Sequence, residues 1–408
     1  MIDIRKGHSM HYTGKRAAVV GGSIGGLTAA LLLRDLGFTV DVFERTPGEL
    51  DGRGGGIVLQ PETLRWFKER SSRRPDQLST VSRFMRVIGA ENRIEFEEPV
   101  EWRFTSWGTL YRALLSDFGR EHYHLAHTFI GMRRDSEIVD LEFANGEHAI
   151  ADLVVFADGI TSAGRRLLLP AERIEYVGYI GWRGTVPELQ VADDTREILG
   201  DSLSYSFGDH THICMYPIPG PNDATKVGER LLNYVWYRNI PDLSSLDEIM
   251  TDKTGFRGEV SVHPGKVQDQ FVDEMRDAVS ELSPAAVDLV RSTEHPYIQP
   301  IMDFRPSRMA FGRVVTIGDA GFVARPHAAA GTAKAAAEAW DLADALEASA
   351  GDIDAALGVW EPRQVKVGNA LVDRIEHMGR AAQFDNSWTP HDRSLRFGLH
   401  EGAIQPIY

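Results

Sequence analysis

The sequence predicts an α/β fold made of two interleaved parts, and three observations predict it. Residues 16–44 read as strand, glycine turn, helix, strand and acid. Residues 176–238 are dense in β-branched and aromatic side chains. Residues 313–319 then return to an apolar strand pattern, and an alanine-rich helix follows. A chain that starts one sheet, builds a second and comes back to the first carries an interposed domain.

The first stretch sets the frame. Arg16-Ala17-Ala18-Val19-Val20 is a short apolar run with the character of a strand buried on both faces. Gly21-Gly22-Ser23-Ile24-Gly25-Gly26 follows, then helical periodicity through Leu27, Ala30, Leu31 and Leu36, stopped by Gly37. A second strand over residues 38–43 ends in Glu44. This is the layout of a dinucleotide site: N–H groups at a helix N-terminus accept a pyrophosphate, and the glycines allow the tight turn and close approach. Ser23 stands where the second glycine of the G-x-G-x-x-G pattern is usual; it is small, and its hydroxyl can bond a phosphate. Glu44 follows at the distance that suits the ribose hydroxyls of an adenosine.

The remaining elements follow in order. Residues 46–56 are rich in glycine and turn formers and lead to Ile57-Val58-Leu59-Gln60 and a short helix over 61–68. Residues 71–76 read as a surface loop, 79–96 as one or two strands, and 105–118 as a helix through Leu110, Leu114 and Leu115. Residues 129–132 and 137–143 read as strands, with Asn145-Gly146 marking a hairpin. Residues 151–156 form another buried strand running into Ala157-Asp158-Gly159. Residues 176–186, 203–207, 212–218 and 231–238 predict an antiparallel sheet. Residues 271–289 read as one helix, 313–317 as a buried strand ending in Gly318-Asp319, and 331–348 and 352–378 as helices. Residues 385–408 show no clear pattern. The expected division is 15–72, 100–176 and 300–350 for the dinucleotide-binding part. It gives 73–99 and 177–299 to the interposed part and 351–408 to a C-terminal helical segment.

Composition narrows the function. The 408 residues exceed one compact core, and 43% hydrophobic with 25% charged residues is ordinary for a globular protein. A net charge of −15 argues against nucleic acid or an anionic membrane as partner. Cys214 is the single cysteine, so neither an intrachain disulfide nor a cysteine-rich metal site is expected. No apolar stretch is long enough to span a bilayer. Residues 1–14 lack a signal-peptide core and read as a disordered lead-in, with Met10 as an alternative start. A cytoplasmic protein without a metal is expected, with a homodimer left open.

Three stretches occur together in one known family: the 16–44 motif, Val154-Val155-Phe156-Ala157-Asp158-Gly159, and Val314-Val315-Thr316-Ile317-Gly318-Asp319-Ala320. In this order, over residues 16–345, they resemble the single-component FAD-dependent aromatic hydroxylases, the para-hydroxybenzoate hydroxylase-like group. Within it the nearest resemblance is to the dihydroxypyridine hydroxylases. It is carried by Gly22-Ser23-Ile24, Gly56-Ile57-Val58 with Gln60-Pro61, Trp102-Arg103-Phe104-Thr105-Ser106, residues 179–184, Tyr216-Pro217-Ile218-Pro219-Gly220 and Arg325-Pro326-His327-Ala328-Ala329-Ala330-Gly331.

The resemblance implies a Rossmann-like FAD-binding domain of the glutathione reductase type with an interposed β-rich substrate domain. It implies that Gly22, Ser23 and Ile24 hold the pyrophosphate, Glu44 the ribose, and that Arg45 lies beside the adenine. Gly56, Ile57 and Val58 would run along the flavin edge. Phe129 and Ile130 would lie near adenine, Asp158 near the pyrophosphate and Asp319 on the ribityl chain. Gly331, Thr332 and Ala333 would open a helix under the flavin, where N–H donors and the helix dipole stabilise negative charge. At the position of Trp107 many relatives carry arginine or glutamine beside the flavin.

The implied chemistry is monooxygenation. NADH or NADPH reduces the flavin, O2 adds to give a hydroperoxide, and an electron-rich ring takes up one oxygen atom. The implied substrate is a small hydroxylated N-heteroaromatic ring, most specifically 2,6-dihydroxypyridine converted to 2,3,6-trihydroxypyridine. A phenol, salicylate or urate-like ring is the alternative, and a non-catalytic FAD-binding redox sensor is the alternative of another class. His327, beside Pro326 and titrating near neutral pH, is the candidate base or substrate partner; otherwise it bonds a backbone carbonyl. Tyr216 is a candidate substrate contact or a core residue, and Arg183 a seat for an anionic substrate or half of an ion pair. Trp182, Tyr205, Phe207, Tyr216, Tyr234 and Trp236 supply aromatic walls, of which alternation turns about half toward a crevice. His122, His124 and His127 read as a solvated segment near the adenine, since no carboxylate or cysteine pattern accompanies them.

Overall fold

The computed structural model describes residues 11–52, 55–135 and 137–400. Its first sheet has five parallel strands in the order Val314–Thr316, Leu153–Phe156, Arg16–Val20, Thr39–Phe43 and Tyr123–His124. The apolar runs are explained by what covers each face. Ala17 and Val19 pack with Leu27 and Leu31 of the Ile24–Asp35 helix and with the Trp107–Phe118 and Gly331–Ala348 helices. Ala18 and Val20 point the other way, onto Phe129, Leu141 and Phe143 of a three-stranded antiparallel sheet. Arg16–Val20 lies between strands on both sides, so the chain reverses direction of build at the end of Val20, where a doubly wound sheet opens a ligand crevice.

The second sheet has eight strands: Tyr297–Asp303, Glu175–Pro187, Leu231–Asn239, Thr211–Ile218, Ser202–Gly208, Thr80–Ile88, Ile94–Ser106 and Gly56–Leu59. All pairs are antiparallel except one seam, where Ser202–Gly208 runs parallel to Thr80–Ile88 with Ser204 opposite Arg86. The sheet crosses the expected boundaries at 72, 99 and 300, because Gly56–Leu59, all of Ile94–Ser106 and Tyr297–Asp303 belong to it. Its outer face buries Trp182, Tyr234 and Trp236 under the Leu243–Ile249, Asp269–Ala278 and Pro284–Arg291 helices. Its inner face presents Tyr205, Tyr216 and Phe207, so three of the six anticipated wall aromatics face inward.

Several expected elements are split or extended. The run 151–156 breaks at Asp152, whose carboxylate accepts the Arg16 backbone N–H at 2.8 Å and meets Lys15 at 2.9 Å. The helix expected over 271–289 is two, because Ser283 caps a new start at Pro284. The last long helix runs Ile353–Gln383. Residues 385–400 are irregular yet fold back across the crevice, with Leu395 and Phe397 buried. The disordered lead-in was expected over 1–14, of which 1–10 lie outside the described residues. Tyr12 is buried, stacks on Phe38 at 4.4 Å and donates to Leu346 O at 2.8 Å. Among the described residues no helix is long and apolar enough to cross a membrane.

Candidate active site

The glycine turn sits at the reversal point of the parallel sheet. Gly21 has φ +106°, and a Cβ there would lie 2.7 Å from the Asp158 backbone nitrogen, so only glycine fits. Ser23 is the N-cap of the Ile24–Asp35 helix and makes no side-chain capping bond, which leaves the first-turn N–H groups available. Glu44 is buried beside the turn; its Oε2 accepts the Gly22 N–H and its Oε1 the Thr46 N–H, both at 3.0 Å. Asp158 caps the short Ala163–Leu168 helix, accepting from the Ser162 hydroxyl and from Ala163 N at 2.8 Å. Burial raises its pKa.

A cavity of about 590 Å³ lies between the two sheets. Arg45, Gly56, Ile57 and Val58 line it from the first half of the chain; Asp319, Pro326, His327, Gly331 and Thr332 line it from the last third. Arg183 and Tyr216 line it from the large sheet. Gly22, Ser23, Ile24 and Glu44 stay at the turn, and Ala333 is buried within its helix. Ile130 is not brought to the cavity: it is 56% exposed on the small sheet, while Phe129 packs under Phe156. Trp107 stacks on Tyr111 at 5.2 Å. Of the three histidines only His127 leaves the solvated surface: it is buried against Leu125 O at 2.7 Å, whereas His122 and His124 stay wholly or partly exposed and share Asp41 Oδ1, a carboxylate the sequence pattern did not show, at 2.9 and 2.8 Å.

The wall chemistry comes from sheet register. Cross-strand partners share a face, and one row reads Tyr297, Arg183, Val235, Cys214, Tyr205. The next rows bring Tyr237 opposite His212, and His212 opposite Phe207. Naming Tyr216 fixed the parity of its strand, so His212 and Cys214 were reachable from the same alternation. Asn233, opposite Tyr216, was also missed; its Oδ1 accepts the Gly56 N–H at 2.9 Å, so that donor of the flavin-edge strand is already engaged.

His327 is buried, and its Nε2 lies 2.7 Å from the Tyr179 hydroxyl rather than on a backbone carbonyl. It does not titrate near neutral pH: burial, with His212 and Arg325 nearby, holds its pKa well below that of a free imidazole. Burial also pushes His212 down to about 3. Its Nδ1 lies 2.7 Å from Gln383 Nε2.

Arg183 has no carboxylate partner among the described residues. The groups around it are Tyr297, Tyr237, Tyr216 and Cys214, and its Nε makes no hydrogen bond. Its guanidinium lies near Gly55, where a Cβ would come within 3.7 Å of Nη1. An enclosed cation without a counter-charge is costly unless a ligand brings one.

These residues fit FAD. The Ile24–Asp35 and Gly331–Ala348 helices both begin without side-chain caps, a Cβ at Gly331 would meet open space, and Asp319 presents its carboxyl to the cavity. Desolvation inside the cavity raises the Asp319 pKa against the pull of Lys334 and Arg165. A buried clamp fixes this corner: Glu338 Oε2 accepts the Gly318 N–H at 2.6 Å and Lys334 Nζ donates to Gly318 O at 2.7 Å.

A glycine turn and two uncapped helix N-termini, set beside a cavity walled by tyrosines and Arg183, fit a flavoprotein hydroxylase. A family model described as NAD(P)-binding Rossmann-like domain matches residues 19–52, and one described as FAD binding domain-like matches residues 176–303. The chain is 39% identical to a 2,6-dihydroxypyridine 3-monooxygenase of Paenarthrobacter nicotinovorans, over 96% of this chain and 97% of the relative. It is 26% identical to a 6-hydroxynicotinate 3-monooxygenase of Bordetella bronchiseptica, over 91% of each. The solved 2,6-dihydroxypyridine-3-hydroxylase of Arthrobacter nicotinovorans superposes with a TM-score of 0.90 at 38% identity, covering 95% of this chain and 98% of that one. The protein therefore belongs to the FAD-dependent aromatic monooxygenases; it is an enzyme that uses FAD, with NADH or NADPH as reductant.

Proposed function

We propose that this enzyme hydroxylates 2,6-dihydroxypyridine at C3. One ring, one O2, one NADH or NADPH and one proton give 2,3,6-trihydroxypyridine, water and the oxidised nucleotide. The observation that carries this reading is Arg183, a cation with no carboxylate partner among the described residues, set in a tyrosine-walled cavity that His327 also lines. Such a wall favours a small ring that binds as an anion. The 39% identity to a 2,6-dihydroxypyridine 3-monooxygenase supports the same ring.

The assigned roles follow from placement. The parallel sheet and its helices form the FAD-binding part, and the inner face of the large sheet the substrate part. The turn at Gly22, Ser23 and Ile24, with Glu44 and Arg45, holds the adenosine diphosphate portion, and Asp158 supports that turn through the helix it caps. Asp319 and the N–H groups of Gly331, Thr332 and Ala333 meet the rest, alongside Ile57 and Val58. FAD, when bound, supplies electron transfer from the nucleotide and activation of O2. Arg183 stabilises the ring's anionic form, which raises electron density at the carbon to be oxygenated. His327, neutral through burial, accepts the ring proton, and Tyr179 fixes its orientation. Tyr216 and Pro326 pack the ring. The need for a supply of reduced nucleotide supports a cytoplasmic location.

An oxygen-uptake panel tests this: 2,6-dihydroxypyridine, 6-hydroxynicotinate, salicylate and urate, each with NADH and with NADPH. The expected result is uptake with the first, matched mole for mole by a product one oxygen heavier. Uptake with another ring and none with 2,6-dihydroxypyridine would overturn the reading, as would uptake recovered entirely as hydrogen peroxide.

A further inference from the structure

Residues 386–399 close one side of the cavity, and their anchors are spread across the molecule. Asn386 accepts the His210 backbone N–H at 2.8 Å and donates to Asp209 at 2.7 Å, which ties the segment to a hairpin tip of the large sheet. Arg396 pairs with Glu98 at 2.6 Å, on the Ile94–Ser106 strand. At its far end the segment reaches the loop that carries His327. Gly398 N donates to Ala328 O at 2.9 Å. Gln60, buried, bridges the two: its Nε2 donates to Ala329 O at 2.8 Å and its Oε1 accepts the Leu399 N–H at 2.7 Å.

Between these anchors Trp388, Leu395 and Phe397 point into the cavity. Trp388 stacks on Phe207 at 4.4 Å and lies 5.2 Å from Tyr205. Phe397 meets Tyr205 and Trp102 edge-on, each at 6.0 Å. From Phe207 the ring contacts continue through His212 to Tyr237 and His327.

We propose that this segment is the specificity-determining wall of the substrate site: Trp388 ends the space available to the ring and restricts it to one-ring substrates. Gln60 is a positioning residue that sets the distance between that wall and His327. The inference rests on the proposed function for the identity of the small ring, but the size limit is a property of the wall alone.

The test compares 2,6-dihydroxypyridine with 1,3-dihydroxyisoquinoline, its benzo-fused analogue, on FAD-loaded wild type, Trp388→Ala, Leu395→Ala and Gln60→Leu. Two quantities are read: kcat/KM, and Kd from the change each ring causes in flavin absorbance. Wild type is expected to prefer the single ring by about 100-fold or more, the order that pocket shape alone can supply. Trp388→Ala is expected to lower that preference at least tenfold, with FAD still bound, and Gln60→Leu to move it in the same direction by a smaller factor. Leu395→Ala gives the same reading if the tryptophan variant fails to fold. A preference unchanged within twofold in every folded variant would overturn the proposal. If wild type binds neither ring, the proposed substrate fails; the Kd comparison is then run with the ring that the uptake panel identifies and its benzo-fused analogue.

Discussion

The Tyr179 hydroxyl lies 2.7 Å from His327 Nε2, inside a wall where both side chains are buried. Each belongs to a different part of the fold, the tyrosine to the large sheet and the histidine to the loop before the Gly331–Ala348 helix. The bond fixes which ring nitrogen faces the tyrosine and leaves the other edge to the cavity side. His327→Ala is therefore expected to keep FAD while kcat falls about 100-fold, the lower range for loss of a positioned acid–base group. Retained absorbance near 450 nm with slow product formation supports this; loss of flavin would assign His327 to the scaffold instead.

The two buried histidines also set acid sensitivity. Both have folded pKa values below that of a free imidazole, His212 at about 3. Between that value and the unfolded value near 6.5, the unfolded chain binds more protons than the folded one, so stability falls as pH drops through this window. Urea unfolding midpoints measured from pH 7 to pH 4 are expected to decline steadily. His212→Gln should flatten part of that decline; an identical slope in the variant would count against it.

Arg183 offers a test in which activity and stability move apart. Arg183→Met removes the cation that seats the anionic ring, and a lost partner for a buried charge costs about 2–5 kcal/mol. We expect kcat/KM to fall about 30-fold or more, mainly through KM. The ligand-free enzyme should be no less stable, because the arginine has no carboxylate partner to lose among the described residues. A lower Tm in the absence of substrate would show that the guanidinium serves the fold.

The clamp on Gly318 predicts a coupled pair. Lys334 and Glu338 are both buried and meet at 3.3 Å. Glu338→Leu strands the ammonium and is expected to destabilise by about 3–5 kcal/mol. Adding Lys334→Met should recover a large part of that stability, while FAD affinity stays weakened because Gly318 and its neighbour Asp319 lose their hold. A thermal-melt double-mutant cycle reads the coupling; additive losses would argue against it.

What the sequence disclosed follows the range of each interaction. Residues 16–44 are legible because turn glycines, helical period and closing acid act within a few turns of chain. The inner wall was half legible: alternation around Tyr216 is local, but its pairing with Asn233 is a tertiary fact. The break at Asp152 was hidden because its cause, the Arg16 N–H, lies far away in sequence. The break at Ser283-Pro284 carried a local cap signal that the longer apolar period obscured. Trp388, Leu395 and Phe397 act through irregular backbone and have no period to read. The depressed pKa of His327 comes from burial among Tyr179, His212 and Tyr237, which no local pattern announces.

The one parallel seam of the large sheet, Thr80–Ile88 beside Ser202–Gly208, has a consequence for how the polypeptide is born. Thr80–Ile88 leaves the ribosome long before its neighbour exists, and Arg16–Val20 waits longer still for Val314–Thr316 to complete its sheet. At about 5–20 residues per second the nascent chain carries open strand edges for roughly 15–60 s. Yield in a foreign host will therefore follow growth temperature and chaperone supply more closely than the robustness of the finished enzyme.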